Sequence, residues 1–548
     1  METFRSGVVY TSTAVLLAVV LVGLLLAHAA VPPPAIAEIA PQAVEQIKDA
    51  PQEQASQFGT GAAADGLSGQ EQKETPSVVS TTSTLPSQRT GADIEVPRIR
   101  HCVGEPSRQT EDPRSPPCAN YWDPKNDNGG NTTRGVTNDA ISVSLPNWPD
   151  PTMLTYFNKR FEFYGRKLVS VGTHAYFNCT PEGQQADAES IEKSDQPFAS
   201  VFYYYCYGRY FYEEMARRHI VSIATDPVFT TSELAKGSPY MWQYPLALDR
   251  LVGTIGEWMC ARLKGANAVR AGRSDAKDLS QMTRKFGILT SEGYLPAPDL
   301  KPLLQQLETC GATAVQVKFS DTSGDFTTPV LKLKQEDVTS IVCLCINHDF
   351  QSLTQAATEQ VYNPEWLVSS YLYDDITYLV QQNIAPDQAN HILGLSANPA
   401  DVRFADSWSV KAYAEATGKP WTDRSADRND TWYQYNNLYQ SLLLLASGVQ
   451  LAGPHLTPES FAAGLQRATF SNPPSPYHEG RVGFLGQSHS MVVDVLEYYY
   501  SSSGRSPHQA DPPGSICLVD DGKRRAPGAF PPSNNADYTG RCVSYPGG

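Results

Sequence analysis

The pattern of apolar and polar positions along residues 284–346 predicts five elements in the order strand, helix, strand, helix, strand. Residues 299–309 carry leucines at helical spacing and predict a helix that Gly311 ends. A second predicted helix ends at Lys334. The predicted strands around these helices are 284–291, 314–319 and 340–346. This order predicts a parallel, doubly wound α/β sheet, which binds ligands at the carboxyl ends of its strands.

Residues 135–263 repeat this pattern and predict a second α/β lobe. The predicted strands are 135–145, 165–171, 199–205 and 220–224. The predicted helices are 153–164, 182–193, 210–218 and 248–263. Because the span 102–548 is too long for one ordinary core, we expect two lobes.

The N-terminal segment predicts export. Residues 7–27 carry no charge and are long enough to span a bilayer, whereas the small residues around Ala29 fit signal-peptidase cleavage. Residues 1–30 are therefore either a cleaved signal or a retained membrane anchor, and both alternatives stay open. Residues 31–101 are rich in Pro, Ala, Gln, Ser and Thr and have almost no aromatic residues, which is typical of a disordered stalk. We expect the rest of the chain to lie at the cell surface or in the periplasm.

All ten cysteines follow the stalk, and an even count in an exported chain favours disulfides. Two pairs close loops that show no secondary structure of their own, and a third pair follows successive predicted strands. The predicted pairs are Cys102–Cys118, Cys517–Cys542 and Cys179–Cys206.

The remaining four cysteines allow more than one interpretation. Cys343 and Cys345 point to the same side of a predicted strand, and this geometry argues against a bond between them. A metal site that includes His348 is a weaker alternative. We expect Cys260, Cys310 and this pair to form structural bridges or core thiols, with no metal bound.

Composition and motifs argue against several functions. The net charge of −15 disfavours nucleic acid or an anionic membrane surface as a partner. Sequence motifs for a nucleophile elbow, a zinc protease, a phosphate loop and a dinucleotide fold are absent. Asn347-His-Asp349 offers a base beside an acid, but polar lining of a loop is the simpler interpretation. We therefore predict no catalytic residue and no cofactor.

A series of short phrases occurs in a fixed order over residues 135–500. The phrases are Gly135-Val-Thr-x-Asp-x-Ile141, Tyr164-Gly-Arg-Lys-Leu168, Ile220-Val-Ser-Ile-Ala224, Lys285-Phe-Gly-Ile-Leu289, Gly311-Ala-x-x-Val315, Val330-Leu-Lys-Leu-Lys334 with Asp337-Val338, and Leu456-Thr-Pro-Glu-Ser-Phe461. Together they resemble the type I periplasmic binding proteins, in particular the branched-chain amino acid (Leu/Ile/Val)-binding branch that serves ABC importers.

The resemblance implies two Rossmann-like lobes joined by three hinge crossovers. It assigns 135–270 and 394–475 to lobe 1, and 284–393 and 476–500 to lobe 2. A Cys-stapled loop at 102–134 and a Cys-stapled tail at 501–548 would be additions. Because no cysteine precedes Cys102, we expect no lipid anchor of the kind found in many relatives.

The resemblance also implies a function and a cleft. The chain would capture a small polar ligand outside the cytoplasm as a monomer and deliver it to an ABC permease. A ligand sensor without transport is the alternative, and a hydrolase is less favoured. The implied ligand-binding residues are Tyr205, Cys206, Ala224, Thr225, Tyr294, Asn347, Tyr373 and Asp374.

Asp226 directly follows Thr225 and would repel a ligand carboxylate. We therefore expect a neutral or cationic ligand such as an amide or a urea, with leucine-type amino acids as the runner-up.

Overall fold

Two parallel β-sheets organise the part of the chain that is described, which belongs to the second of two compact units, Thr81–Gly548. The computed structural model describes residues 101–105, 107–147, 150–172, 178–201, 206–293, 295–371, 377–400, 402, 406–420, 428–470, 472–473, 475, 478–505, 514–532 and 538. The predicted signal or anchor and the predicted stalk lie outside these residues. Within them, no helix combines the length and the apolar character needed to cross a bilayer.

The order of strands and helices follows the predicted alternation. The strands are β1 (Cys102–Val103), β2 (Arg108–Gln109), β3 (Ala140–Ser144), β4 (Lys167–Gly172), β5 (Ala199–Val201), β6 (Val221–Ala224), β7 (Met241–Gln243), β8 (Arg273–Ser274), β9 (Lys277–Asp278), β10 (Phe286–Glu292), β11 (Ala314–Ser320), β12 (Ser340–Leu344), β13 (Glu365–Ser369), β14 (Ile392–Ser396), β15 (Leu496–Ser501) and β16 (Ser515–Leu518).

The α-helices begin and end at residues suited to those positions. At the start of one helix, the Thr180 side chain accepts a hydrogen bond from the backbone N–H of Gly183. Gly311 ends another helix in the left-handed conformation, with a φ of 68°. The helices are α1 (Met153–Arg160), α2 (Pro181–Asp195), α3 (Arg209–Arg217), α4 (Thr231–Lys236), α5 (Leu248–Trp258), α6 (Lys301–Cys310), α7 (Thr327–Gln335), α8 (Asn347–Glu359), α9 (Thr377–Asn383), α10 (Pro386–Ala389), α11 (Trp408–Thr417), α12 (Arg428–Ala452) and α13 (Pro458–Arg467).

The order of strands in each sheet shows the doubly wound topology. The lobe 1 sheet has the order β4-β3-β5-β6-β7, and each neighbouring pair is parallel. The lobe 2 sheet has the order β11-β10-β12-β13-β14-β15-β16, in which β15 and β16 are antiparallel to their neighbours and the others are parallel. The predicted α/β class with two doubly wound lobes is confirmed.

The predicted lobe boundaries at the first and second crossovers are wrong. Helix α5, which we assigned to lobe 1, packs on α6 so closely that a Cβ on Gly256 would lie 2.8 Å from the Leu303 carbonyl. The first crossover therefore lies between β7 and α5. Gly394, also assigned to lobe 1, lies in β14 and pairs with Val368 of the lobe 2 sheet.

The boundaries at the third crossover are wrong as well. Residues 482–492, assigned to lobe 2, run beside β7, where Met491 N–H donates to the Gln243 carbonyl at 3.0 Å. Cys517 lies in β16, so the predicted tail contributes a strand to the lobe 2 sheet. Local periodicity cannot detect these memberships, because the nearest sheet edge in space decides which sheet a strand joins.

The structure settles several cysteine pairings. Cys102 is joined to Cys118, as predicted, and Cys260, two residues after α5, is joined to Cys310 at the end of α6. The prediction for Cys343 and Cys345 was wrong, because a disulfide joins them. Strand β12 ends at Leu344, and the bend that follows brings the two Cα atoms to 5.4 Å, within the usual disulfide range.

Two further predicted pairings stay predictions. Cys179 and Cys517 are both disulfide-bonded. The side chain of Cys206 and the whole of Cys542 lie outside what the structure describes, so the partners are not assigned.

The N-terminal loop is anchored on lobe 1 by a buried ion pair. The Arg114 guanidinium contacts the Asp112 carboxylate at 2.6 Å, and both side chains are almost fully buried. Tyr439 of α12 donates to the same carboxylate at 2.9 Å, and Arg114 donates to the Tyr244 hydroxyl. The Cys102–Cys118 loop is therefore an integral part of the lobe 1 fold.

Candidate functional site

The carboxyl ends of the two parallel sheets meet between the lobes. Tyr207 follows β5 of lobe 1, and Tyr371 follows β13 of lobe 2; their rings stack with centroids 6.4 Å apart and planes at 26°. One buried apolar cluster also contains Ala224 and Phe229 of lobe 1 together with Leu344 of lobe 2. These strand ends form the cleft in which a doubly wound sheet is expected to bind its ligand.

The lobe 1 wall presents a hydroxyl and a buried carboxyl directly after β6. Thr225 donates its hydroxyl to Asp226 Oδ1 at 3.3 Å, and Asp226 is only 3% exposed. No lysine or arginine of the described chain pairs with this carboxyl group. Burial therefore raises the pKa of Asp226 to about 7, and the bond from Thr225 offsets only part of the rise.

The lobe 2 wall presents a second buried carboxyl in the first turn of α8. Asp349 is 1% exposed, and neither carboxylate oxygen has a hydrogen-bond partner within the described residues. Burial and the neighbouring Asp321 carboxylate raise the pKa of Asp349 to about 7, and the nearby Ser291 offsets part of this. Ser291 is the last but one residue of β10, Asp321 directly follows β11, and Asp349 follows β12, so three adjacent strand ends meet here.

Close backbone packing fixes part of this wall. Gly293 follows β10 with a φ of +156°, and a Cβ there would lie 1.6 Å from Asp321 Oδ1. A glycine is therefore required for the loop after β10 to approach the Asp321 side chain.

Arginine at the cleft is already engaged by protein groups. Arg209, the first residue of α3, donates to the Val228 carbonyl at 2.8 Å and lies over the Phe229 ring at 5.2 Å. It also pairs with Glu213 at 3.1 Å and with Glu233. Its charge is thus largely compensated, and it leaves little unpaired positive charge for an anionic ligand.

The structure places only part of the predicted binding set. Ala224 and Thr225 lie where predicted, at the carboxyl end of β6. The backbones of Cys206 and Asn347 are placed, but their side chains are outside the described part. Tyr205, Tyr294, Tyr373 and Asp374 lie wholly outside it.

Other cleft residues were missed by sequence reasoning. These are Tyr207, Asp321 and Tyr371, together with Asp349, which we interpreted only as a base or loop partner. Their shared signal is a polar or aromatic side chain within a few residues of a strand's carboxyl end. Only the packing of the two sheets in space shows which of these positions face each other.

The site contains groups suited to binding. Hydroxyls, carboxyls and aromatic rings can hydrogen-bond and enclose a small molecule. In the described chain, no three His, Cys, Asp or Glu side chains are grouped to hold a metal ion.

Comparison with known protein families finds one whose model matches this chain. The model of a family described as periplasmic binding protein matches residues 213–504, more than half of the chain. No curated protein matches the sequence.

Several solved structures are similar in fold. A solute-binding protein of an ABC transporter from Rhodopseudomonas palustris HaA2, solved with p-hydroxybenzoic acid, is 12% identical with a TM-score of 0.49, covering 71% of this chain and 98% of its own. A possible leucine/isoleucine/valine-binding protein from Rhodopirellula baltica SH 1 is 11% identical with a TM-score of 0.48, covering 70% and 97%. A fatty acid ABC transporter substrate-binding protein from Thermomonospora curvata is 15% identical with a TM-score of 0.46, covering 70% and 93%.

Proposed function

The chain belongs to the periplasmic binding protein family, and on that premise we propose that it is an extracytoplasmic receptor that captures a small polar solute between its lobes for an ABC import permease. The observation that carries the proposal is the cleft at the strand ends, where Tyr207 of lobe 1 meets Tyr371 of lobe 2. Closure of such lobes around a ligand is a hinge motion. Members of this family are solute-binding proteins, and their location is extracytoplasmic.

The charges at the cleft support a ligand without a carboxylate. Asp226 on one wall and Asp349 on the other are buried, and no lysine or arginine among the described residues pairs with either, although His348 Nδ1 lies 3.9 Å from Asp349 Oδ1. A ligand carboxylate would be repelled by either group when it is ionised, whereas an amide N–H or an ammonium would donate to it. We therefore favour an amide, a urea or an amine, and leucine-type amino acids are the runner-up.

Individual residues take distinct roles in this proposal. Thr225 offers its hydroxyl at the end of β6, and Tyr294 would close over the ligand from lobe 2. Asp349 would accept hydrogen bonds from an N–H-bearing ligand. Cys206, Asn347, Tyr205, Tyr373 and Asp374 would line the remainder of the cleft.

A thermal-shift screen of the purified protein tests the ligand class. The panel contains amino acids, amides, ureas, simple amines and short-chain acids, because a ligand that binds the folded state raises the melting temperature by mass action. We expect shifts with an amide, a urea or an amine. A shift with acids alone would overturn the assignment of ligand class, and no shift with any small solute would argue against the receptor function.

Calorimetry with the compound that gives the largest shift then tests the residues. Thr225→Ala and Tyr294→Ala should each weaken binding by roughly 1–3 kcal/mol, because hydrogen bonds and contact area are lost. Thr309→Ala is the matched control, since Thr309 lies near the end of α6 and, among the described residues, its hydroxyl bonds to the Gln305 carbonyl alone. Equal affinity in all three variants would place the binding site elsewhere.

A further inference from the structure

Arg524 uses all five of its guanidinium N–H groups at the junction of the lobes. Its Nε donates to Asp494 Oδ1 at 2.8 Å, and its Nη2 donates to the carbonyls of Asp494 and Ala397, both at 3.0 Å. Its Nη1 donates to the carbonyls of Asn398 at 2.8 Å and His478 at 3.0 Å. The side chain is 6% exposed, and that of Asp494 is fully buried. Only arginine supplies five donors in a fixed plane.

Four of these five hydrogen bonds go to two different crossovers between the lobes, and the fifth goes to His478. Ala397 and Asn398 begin the second crossover, directly after β14, while Asp494 lies in the third crossover, between the segment beside β7 and β15. The Asp494 carboxylate also accepts the backbone N–H of Arg481 at 3.0 Å, on the lobe 1 side. We call Arg524, Asp494, Ala397 and Asn398 the hinge clasp. One side chain thus ties together two of the three connections that must bend when the lobes move.

The clasp is held firmly on the lobe 2 side. The neighbouring residue, Arg525, pairs its backbone with that of Val495 in both directions, at 2.7 and 2.9 Å. The Arg525 guanidinium lies 3.2 Å from the Glu497 carboxylate of β15. Glu497 is completely buried and also accepts the indole N–H of Trp258 at 3.0 Å. Arg524 is therefore adjacent to a residue that is tied to Val495, the residue before β15, and to the buried Glu497.

We propose that the hinge clasp sets the opening equilibrium of the two lobes, with Arg524 as its positioning residue. The lobes are in contact in this structure, as the Tyr207–Tyr371 stack shows, and the clasp holds the crossovers in the arrangement that goes with that contact. Opening changes the backbone angles of both crossovers at once, and this would break some of the five bonds. This device is distinct from the ligand site, and its test needs no ligand.

Hydrogen exchange followed by mass spectrometry on the full-length chain tests the proposal. Arg524→Lys retains the charge but has three donors, and Arg524→Met removes the charge. We expect at least about tenfold faster exchange at both crossovers, because hydrogen bonds to a charged group are lost. We also expect faster exchange around Tyr207 and Tyr371, which Arg524 does not contact within the described chain, because the lobes would separate more often.

A purely local role gives a different result. In that case exchange would increase only in peptides next to Arg524, and the peptides containing Tyr207 and Tyr371 would keep the wild-type rate, which would overturn the proposal. Arg467→Lys, on the exposed end of α13, is the matched control and should change neither set. If Arg524→Met does not fold, Arg524→Lys decides the question by the same two sets of peptides.

Discussion

The Tyr207 and Tyr371 rings stack across the cleft, although the two residues lie 164 positions apart in the sequence and each follows a strand of a different sheet. An aromatic pair contributes about 0.5–1.5 kcal/mol beyond the area that it buries. We expect a coupling of that size between Tyr207→Ala and Tyr371→Ala in a double-mutant cycle on the free energy of unfolding. Urea denaturation followed by tryptophan fluorescence measures it. If the losses in unfolding free energy of the two single variants add up to that of the double variant, the stack contributes no interaction energy between the lobes.

Asp349 should make stability depend on pH. Its folded pKa of about 7 lies above the value near 4 of an unfolded aspartate, so the folded state retains a proton that the unfolded state has lost. This stabilisation is complete below about pH 4 and is lost as the pH rises through 7. Asp349→Asn should therefore reduce the fall in stability between pH 5 and pH 8 by roughly 1–2 kcal/mol.

Melting temperatures of wild type and variant at the two pH values check this. Glu308→Gln, an exposed carboxylate on α6, is the control and should keep the wild-type pH dependence. Burial also raises the pKa of Asp226, so part of the pH dependence of stability should persist in Asp349→Asn. A pH profile of Asp349→Asn identical to that of wild type would contradict the raised pKa of this buried carboxyl.

The loop closed by Cys102–Cys118 should be essential for lobe 1. Arg114→Met would leave the Asp112 carboxylate buried without its ion pair, and breaking such a pair costs about 3–5 kcal/mol. Arg108→Met in the same loop is the control, because within the described part of the chain the Arg108 side chain bonds to the adjacent Gln109 carbonyl alone. Chemical denaturation should separate the two variants clearly; equal stabilities would mean that the loop is dispensable.

Peptide mapping without reduction tests the cysteine network. We expect two linked peptide pairs, Cys179–Cys206 and Cys517–Cys542. Cys179 and Cys517 are disulfide-bonded, and Cys206 and Cys542 are the predicted partners. A peptide containing Cys343 and Cys345 should be two hydrogens lighter than its reduced form. Free thiols at Cys206 or Cys542 would exclude the corresponding pairing.

The order of strands and helices was predictable from sequence, because periodicity, caps and glycines act over a few residues. The helix predicted at 299–309 is found at Lys301–Cys310, and Gly311 adopts the left-handed conformation that ends it. Strand β11 was predicted to within one residue. Thr225 could likewise be placed at the cleft, because it directly follows a recognisable strand.

Only the tertiary structure decided which sheet each later segment joins and which side chains meet. Arg524 lies 126 positions from Asn398, and Arg114 lies 130 from Tyr244, so no local pattern relates them. The burial of Asp349 beside Asp321 depends on how adjacent strand ends pack, which sequence spacing cannot show. Short-range preferences thus fix the elements, whereas the burial of charge and the closure of the lobes depend on contacts that form only when distant segments pack together.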